Sequence, residues 1–201
     1  MTSRPAIWMP REAWADLDLT RKGLFVAPEK RTEVFIHHTV TVDADDTPSV
    51  WESYGEIRDH MHKLQTIRPD LSLDCPYNVV VFILGRDPRL VLAEGRGLYR
   101  SGAHSPGHNT SALGIAFAGN FERDDPWELT HVLGGFGTDQ PLSQWIDDLR
   151  EHLGFVNLLK SRPPVDEQAG LLVRERRVWA HSDIEATACP GKHLRSRLWM
   201  I

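Results

Sequence analysis

The residues best suited to chemistry lie in two places far apart in the chain. An apolar run, Val34, Phe35 and Ile36, leads into His37, His38 and Thr39. Near the other end, the segment from Ala180 to Lys192 carries His181 and, across a short loop, Cys189. Side chains alternate along a strand, so only one of His37 and His38 faces a given side while the other packs or hydrogen-bonds elsewhere. Two imidazoles and one thiolate are ligands that zinc favours. Three protein ligands leave the fourth tetrahedral position to water, the arrangement of a catalytic rather than a structural zinc. Such a site makes the chain a hydrolase. The plainer reading of the same residues is a buried histidine beside a free cysteine. The remaining histidines differ in setting: His60, His62, His131, His152 and His193 sit among polar neighbours and read as solvated or hydrogen-bonded.

These groups need a scaffold, and the hydrophobic pattern supplies one. The run before the histidines suggests a buried strand. Val79 to Leu84 is unbroken apolar sequence, as expected of a strand covered on both faces. Gly85 to Pro88 reads as a turn and Leu90 to Ala93 as the returning strand of a hairpin. Leu113 to Ala118 is a further apolar run with Gly114 inside it. A short strand at Val178 to Ala180 would deliver His181 to the sheet edge, and a short helix follows Pro190. Val50, Trp51, Tyr54, Ile57, Met61 and Leu64 recur at spacings of three and four, which predicts a helix over about 48–65, with Thr47 as its cap and Pro48 in its first turn. The same stripe at Leu142, Trp145, Ile146, Leu149, Leu153 and Val156 predicts a helix over about 142–160, stopped by Pro163 and Pro164. Residues 120–141 read as an exposed insertion rich in Gly, Asp and Pro. Strands mixed with two long helices give an α/β fold, a central mixed β-sheet flanked by helices.

With 201 residues the chain suffices for one domain spanning 1–201. Residues 1–30 are expected as an irregular arm anchored by Trp8, Trp14, Leu17 and Phe25. Hydrophobic residues make up 41% and charged residues 25%, a soluble globular balance. The net charge of −5 gives no electrostatic footprint for nucleic acid or an anionic membrane. Arg174 to Arg177 is a solvated face. No stretch reaches the length of a membrane span, and the first residues hold no apolar run of signal-peptide length. Synthesis in the cytoplasm without a signal peptide and a monomeric state are therefore expected. The two cysteines do not make a disulfide scaffold. Cys75 receives no metal role, and a Cys75–Cys189 bridge would consume the proposed thiolate.

Taken in order, Ile36-His37-His38-Thr39, Cys75-Pro76-Tyr77-Asn78, the segment Gly102 to Asn109 and the segment His181 to Gly191 resemble the type 2 N-acetylmuramoyl-L-alanine amidases, the superfamily of phage lysins and peptidoglycan recognition proteins. Pro10 to Trp14 is similar to the opening of many recognition-protein domains. The resemblance covers nearly the whole chain from about Pro10. It implies that fold, and a Zn2+ ion held by His37, His181 and Cys189, with His38 turned away. It implies Tyr77 as the catalytic tyrosine and Thr187 as a neutral oxyanion donor where members carry lysine or threonine. It places His104 and the weaker candidate Asn109 in the substrate cleft. The chain departs from the family pattern at His108, where an aromatic is common, and at Ala112, where serine is common. The implied activity is hydrolysis of the amide joining N-acetylmuramic acid to L-alanine in peptidoglycan. A wall-lytic enzyme is expected, acting at the cell wall after holin-type release. The alternatives are a cytosolic amidase recycling soluble muropeptides and a non-catalytic peptidoglycan-binding module.

Overall fold

Six consecutive apolar residues, Val79–Leu84, form a strand that is buried along its whole length. It lies inside a six-stranded sheet in the computed structural model, which describes residues 6–16, 19–27, 30–31, 33–40, 49–71, 73–85, 89–125, 178–196 and 198. The strands are β1 (Ile7–Met9), β2 (Glu33–His38), β3 (Val79–Leu84), β4 (Arg89–Glu94), β5 (Ala112–Phe117) and β6 (Val178–Ala180). Their order across the sheet is β1-β4-β3-β5-β2-β6. Every neighbouring pair is parallel except the β3–β4 hairpin. The sheet is therefore mixed, as the hairpin in the sequence requires. Two helices are described, α1 (Tyr54–Thr66) and the short α2 (Lys192–Arg195).

Alternation along the strands divides the core into two faces. Val34, Ile36, Val79, Val81, Ile83, Leu113, Ile115 and Phe117 pack together on one face with Phe121 and with Leu194 of α2. Val80, Phe82, Leu84, Val91 and Ala93 face the other way, where Ile57, Met61 and Leu64 of α1 cover them with Trp14. His37 alternates with Val34 and Ile36 in the opposite sense to His38, so it lies on the α1 side of the sheet. Helix α1 covers β3 and β4, and the strip over β5 and β2 on that face carries the small residues Gly114 and Ala116. That strip is where functional side chains have room.

Several expectations shift. The first helix begins at Tyr54 rather than near 48. Its start is set by a local box: Ser53 Oγ accepts from the Glu56 N–H at 3.2 Å, and the Glu56 carboxylate accepts from Ser53 Oγ and from the Glu52 N–H. Val50 and Trp51 share the apolar spacing yet lie outside the helix. Trp51 bridges Leu84 instead, its N–H donating to Ile83 and its carbonyl accepting from Gly85, both at 2.8 Å. Thr47 and Pro48 fall outside the described residues, as do the expected helix over 142–160 and most of the insertion over 120–141. The amino-terminal arm is not wholly irregular: β1 adds a parallel edge to β4. Trp14 is a true anchor, buried with its Nε1–H on the Glu94 carbonyl at 2.9 Å. Phe25 is not, being 75% exposed and stacked on Tyr99, while its neighbour Val26 is the buried residue. Leu17 is outside the described residues. The strand expected at Leu113–Ala118 runs one residue earlier. The strand at Val178–Ala180 and the helix after Pro190 form as expected.

Candidate metal centre

Register explains how distant residues meet. Ile36 of β2 pairs with Ala180 of β6 in parallel, so the next residues, His37 and His181, come level. Their ring centroids are 4.6 Å apart. Beyond Ala180 the chain turns through a single 3₁₀ turn, His181–Asp183. The Asp183 carboxylate closes that turn by accepting from the Ala180 N–H at 2.9 Å, and its other oxygen is held by Arg195 of α2 at 2.9 Å. Arg195 also bonds Ser182. The loop then folds back: Ser182 N–H donates to the Cys189 carbonyl at 2.9 Å, and Cys189 N–H donates to Thr187 Oγ1 at 3.2 Å. Gly191 completes the return at φ +90°, where an added Cβ would stand 2.3 Å from the Phe121 carbonyl carbon, so a side chain here is excluded on both counts.

This folding brings His37, His181 and Cys189 together, with one ligand atom from each lying within 4.8 Å of the others. Nδ1 of His37 is 3.6 Å from the Cys189 sulfur. Tetrahedral zinc, with bonds of about 2.3 Å to sulfur and 2.0–2.1 Å to nitrogen, separates such atoms by roughly 3.5–3.6 Å. The donor set and its spacing therefore fit that ion. The protonation states fit as well. Burial, with lesser repulsion from His104 and His181, holds the His37 pKa well below the usual imidazole range, so its ring is neutral and has a lone pair to give. Burial pushes the Cys189 thiol up to about 11, so it is a thiolate only when a cation compensates. Cys75 is free, buried and pushed up to about 12 by that burial, and neither cysteine is bridged to the other.

Around these three the other expected residues take definite places. His38 points to the opposite face, where its Nδ1 accepts from the Phe121 N–H at 3.2 Å. Its backbone N–H nonetheless approaches the Cys189 sulfur at 3.4 Å. The Tyr77 ring stands 5.3 Å from that of His37, and burial, then the nearby Cys189, raises its phenol pKa, so the hydroxyl keeps its proton. Thr187 is exposed at the rim, its oxygen bonded by Cys189 N–H. His104 is buried, with Nδ1 3.1 Å from Nε2 of His37 and 3.1 Å from Ser105 Oγ. Asn109 is occupied within the turn: its side-chain oxygen accepts from the N–H groups of His104 and Ser105. His108 lies against Glu33 at 3.1 Å, and Ala112 is buried at the start of β5. Sequence reasoning missed Glu185, whose carboxylate lies 3.0 Å from His181 Nε2. A glutamate one helical turn after a ligand histidine was the available signal.

No protein-family model matches the chain. A peptidoglycan-recognition protein of Drosophila simulans is 29% identical over 192 residues, covering 94% of this chain and 84% of that protein. Peptidoglycan-recognition protein 2 of Holotrichia diomphalia is 30% identical over 171 residues, covering 84% and 82%. The N-acetylmuramoyl-L-alanine amidase of Mus musculus is 25% identical over 163 residues, which are 80% of this chain and 24% of that larger protein. Among solved structures, a Drosophila peptidoglycan recognition protein of the SA type superposes with a TM-score of 0.64 at 21% identity over 96% of this chain and 91% of that one, a likeness of fold. The chain belongs to the peptidoglycan-recognition protein family.

Proposed function

We propose that the chain is a zinc-dependent N-acetylmuramoyl-L-alanine amidase that cleaves the amide between N-acetylmuramic acid and the stem peptide of peptidoglycan. The observation that carries this reading is the His37–Cys189 spacing of 3.6 Å within a three-ligand cluster that also includes His181. Similarity to a named amidase and to peptidoglycan-recognition proteins supports the substrate class. When bound, zinc lowers the pKa of a coordinated water towards ~7 and polarises a carbonyl.

The chain's own residues supply the rest. His37, buried on a strand paired on both sides, fixes one corner of the site before substrate arrives. Tyr77 retains its proton and stands beside His37, so its hydroxyl donates to the scissile carbonyl oxygen as that atom gains negative charge. Thr187 has its oxygen occupied by the Cys189 N–H and its hydroxyl proton available for the same oxyanion from the exposed rim. A neutral hydroxyl is a weaker donor there than a charged group.

Incubation with purified peptidoglycan and mass analysis of the products tests the proposal. Free stem peptides beside intact glycan strands are expected. Binding without release by zinc-loaded protein would make the chain a recognition module, and cut glycan would mean another chemistry.

A further inference from the structure

We propose that His104 is a positioning residue for the metal centre, accepting the Nε2–H of His37 at its own Nδ1 and so turning the Nδ1 lone pair of His37 towards Cys189 and His181. This deepens the reading of the site as a zinc centre and rests on it. The His37 ring has two nitrogens with opposite neighbours: Nδ1 faces the Cys189 sulfur at 3.6 Å and Nε2 faces His104 Nδ1 at 3.1 Å. A neutral imidazole carries one proton. If it sits on Nδ1, His37 cannot ligate through the nitrogen that faces the cluster. If it sits on Nε2, it needs an acceptor, and among the described residues the acceptor in range is His104 Nδ1. His104 must then carry its own proton on Nε2, which is buried and has no hydrogen-bond partner among the described residues. The neighbouring Ser105 hydroxyl, 3.1 Å from the same Nδ1, can turn its proton away and leave the single lone pair of that nitrogen to His37, so it does not force the other tautomer.

The fold is shaped around this contact. Gly114 interrupts the apolar β5, and a Cβ there would lie 2.2 Å from the His104 ring. Gly102 leaves a matching space, where a Cβ would lie 2.3 Å from the ring. A glycine inside a buried strand marks close approach of another group, and here that group is the imidazole behind His37. The His104 backbone is pinned in turn by Asn109, whose side-chain oxygen accepts its N–H at 2.8 Å. Outer partners of this kind set the tautomer and orientation of a metal-bound histidine, and their loss typically costs 10–100-fold in metal affinity.

Zinc affinity by chelator competition, with thermal stability of the metal-free protein alongside, provides the test. His104→Ala is expected to weaken zinc binding about 10–100-fold. His104→Asn places an acceptor at the δ position and is expected to restore most of that loss. Nitrogen-15 shifts of the zinc-loaded protein should show His37 protonated at Nε2. Unchanged affinity in His104→Ala, equal losses in the Ala and Asn variants, or a His37 proton on Nδ1 would each overturn the proposal while leaving the zinc reading intact. A change in KM alone, with zinc affinity retained, would make His104 a substrate contact and also overturn it. Failure of the unaltered protein to bind zinc would overturn both readings.

Discussion

The two histidines of the cluster are held in contrasting ways. His37 is 1% exposed, lies inside the sheet between β5 and β6, and meets a buried neutral imidazole with its outer nitrogen. His181 lies just past the sheet edge on a 3₁₀ turn, and its Nε2 lies 3.0 Å from Glu185, a carboxylate 42% exposed. One ligand is aimed by the fold and the other by its local turn. In the low-dielectric interior an unmet N–H is costly, whereas water can replace an exposed carboxylate. Inner and outer halves of one site should therefore respond differently to the same kind of damage.

Removal of a ligand should erase that difference. His37→Ala, His181→Ala and Cys189→Ser are each expected to abolish turnover on purified cell walls and to weaken zinc by more than the ~10–100-fold carried by outer partners. Full activity in any of them would dissolve the cluster as a functional unit. Tyr77→Phe, on the buried side, should lower kcat about 10²–10³-fold, the usual effect of losing one oxyanion donor, with zinc content unchanged. Loss of zinc in that variant would make Tyr77 structural. Thr187→Val, on the exposed side, should cost about tenfold or less in kcat, as befits a neutral hydroxyl at the rim. A larger effect than that of Tyr77→Phe would reverse the assignment of inner and outer donors. The smallest change is expected from Glu185→Gln: zinc affinity should fall only a few-fold, and the deficit should shrink as salt rises, because the pair is partly exposed. A salt-independent loss as large as that of His104→Ala would show both histidines to be equally dependent on their partners.

The sequence revealed most where a pattern is local and repetitive. The apolar run at Val79–Leu84, the hairpin after it and the body of α1 follow from periodicity alone. The ligands were legible through motif resemblance, since only register brings His181 level with His37. What escaped depends on contacts that leave no periodic trace. Three residues, Ile7–Met9, add a strand through backbone bonds to β4, and backbone pairing is indifferent to most side chains. Trp51 fits the stripe of α1 but makes a strand-like bridge, because the Ser53–Glu56 box starts the helix after it. Phe25 is apolar yet exposed, and hydrophobicity by itself does not bury a residue. The role of Gly114 was hidden in the same way: its missing side chain is read only once His104 is seen against it.

The placement of β2 between β5 and β6 has a consequence for synthesis. Cys189 and His37 are 152 positions apart, and the strand that brings His181 beside His37 follows all the other strands of the sheet. A polypeptide still emerging from the ribosome can present His37 on a partly built sheet, yet it lacks both other donors until translation has passed β6 and the loop beyond it. On the proposed reading, hydrolytic competence is therefore a late event of biogenesis, and products terminated before Cys189 are inert towards the wall rather than partially active.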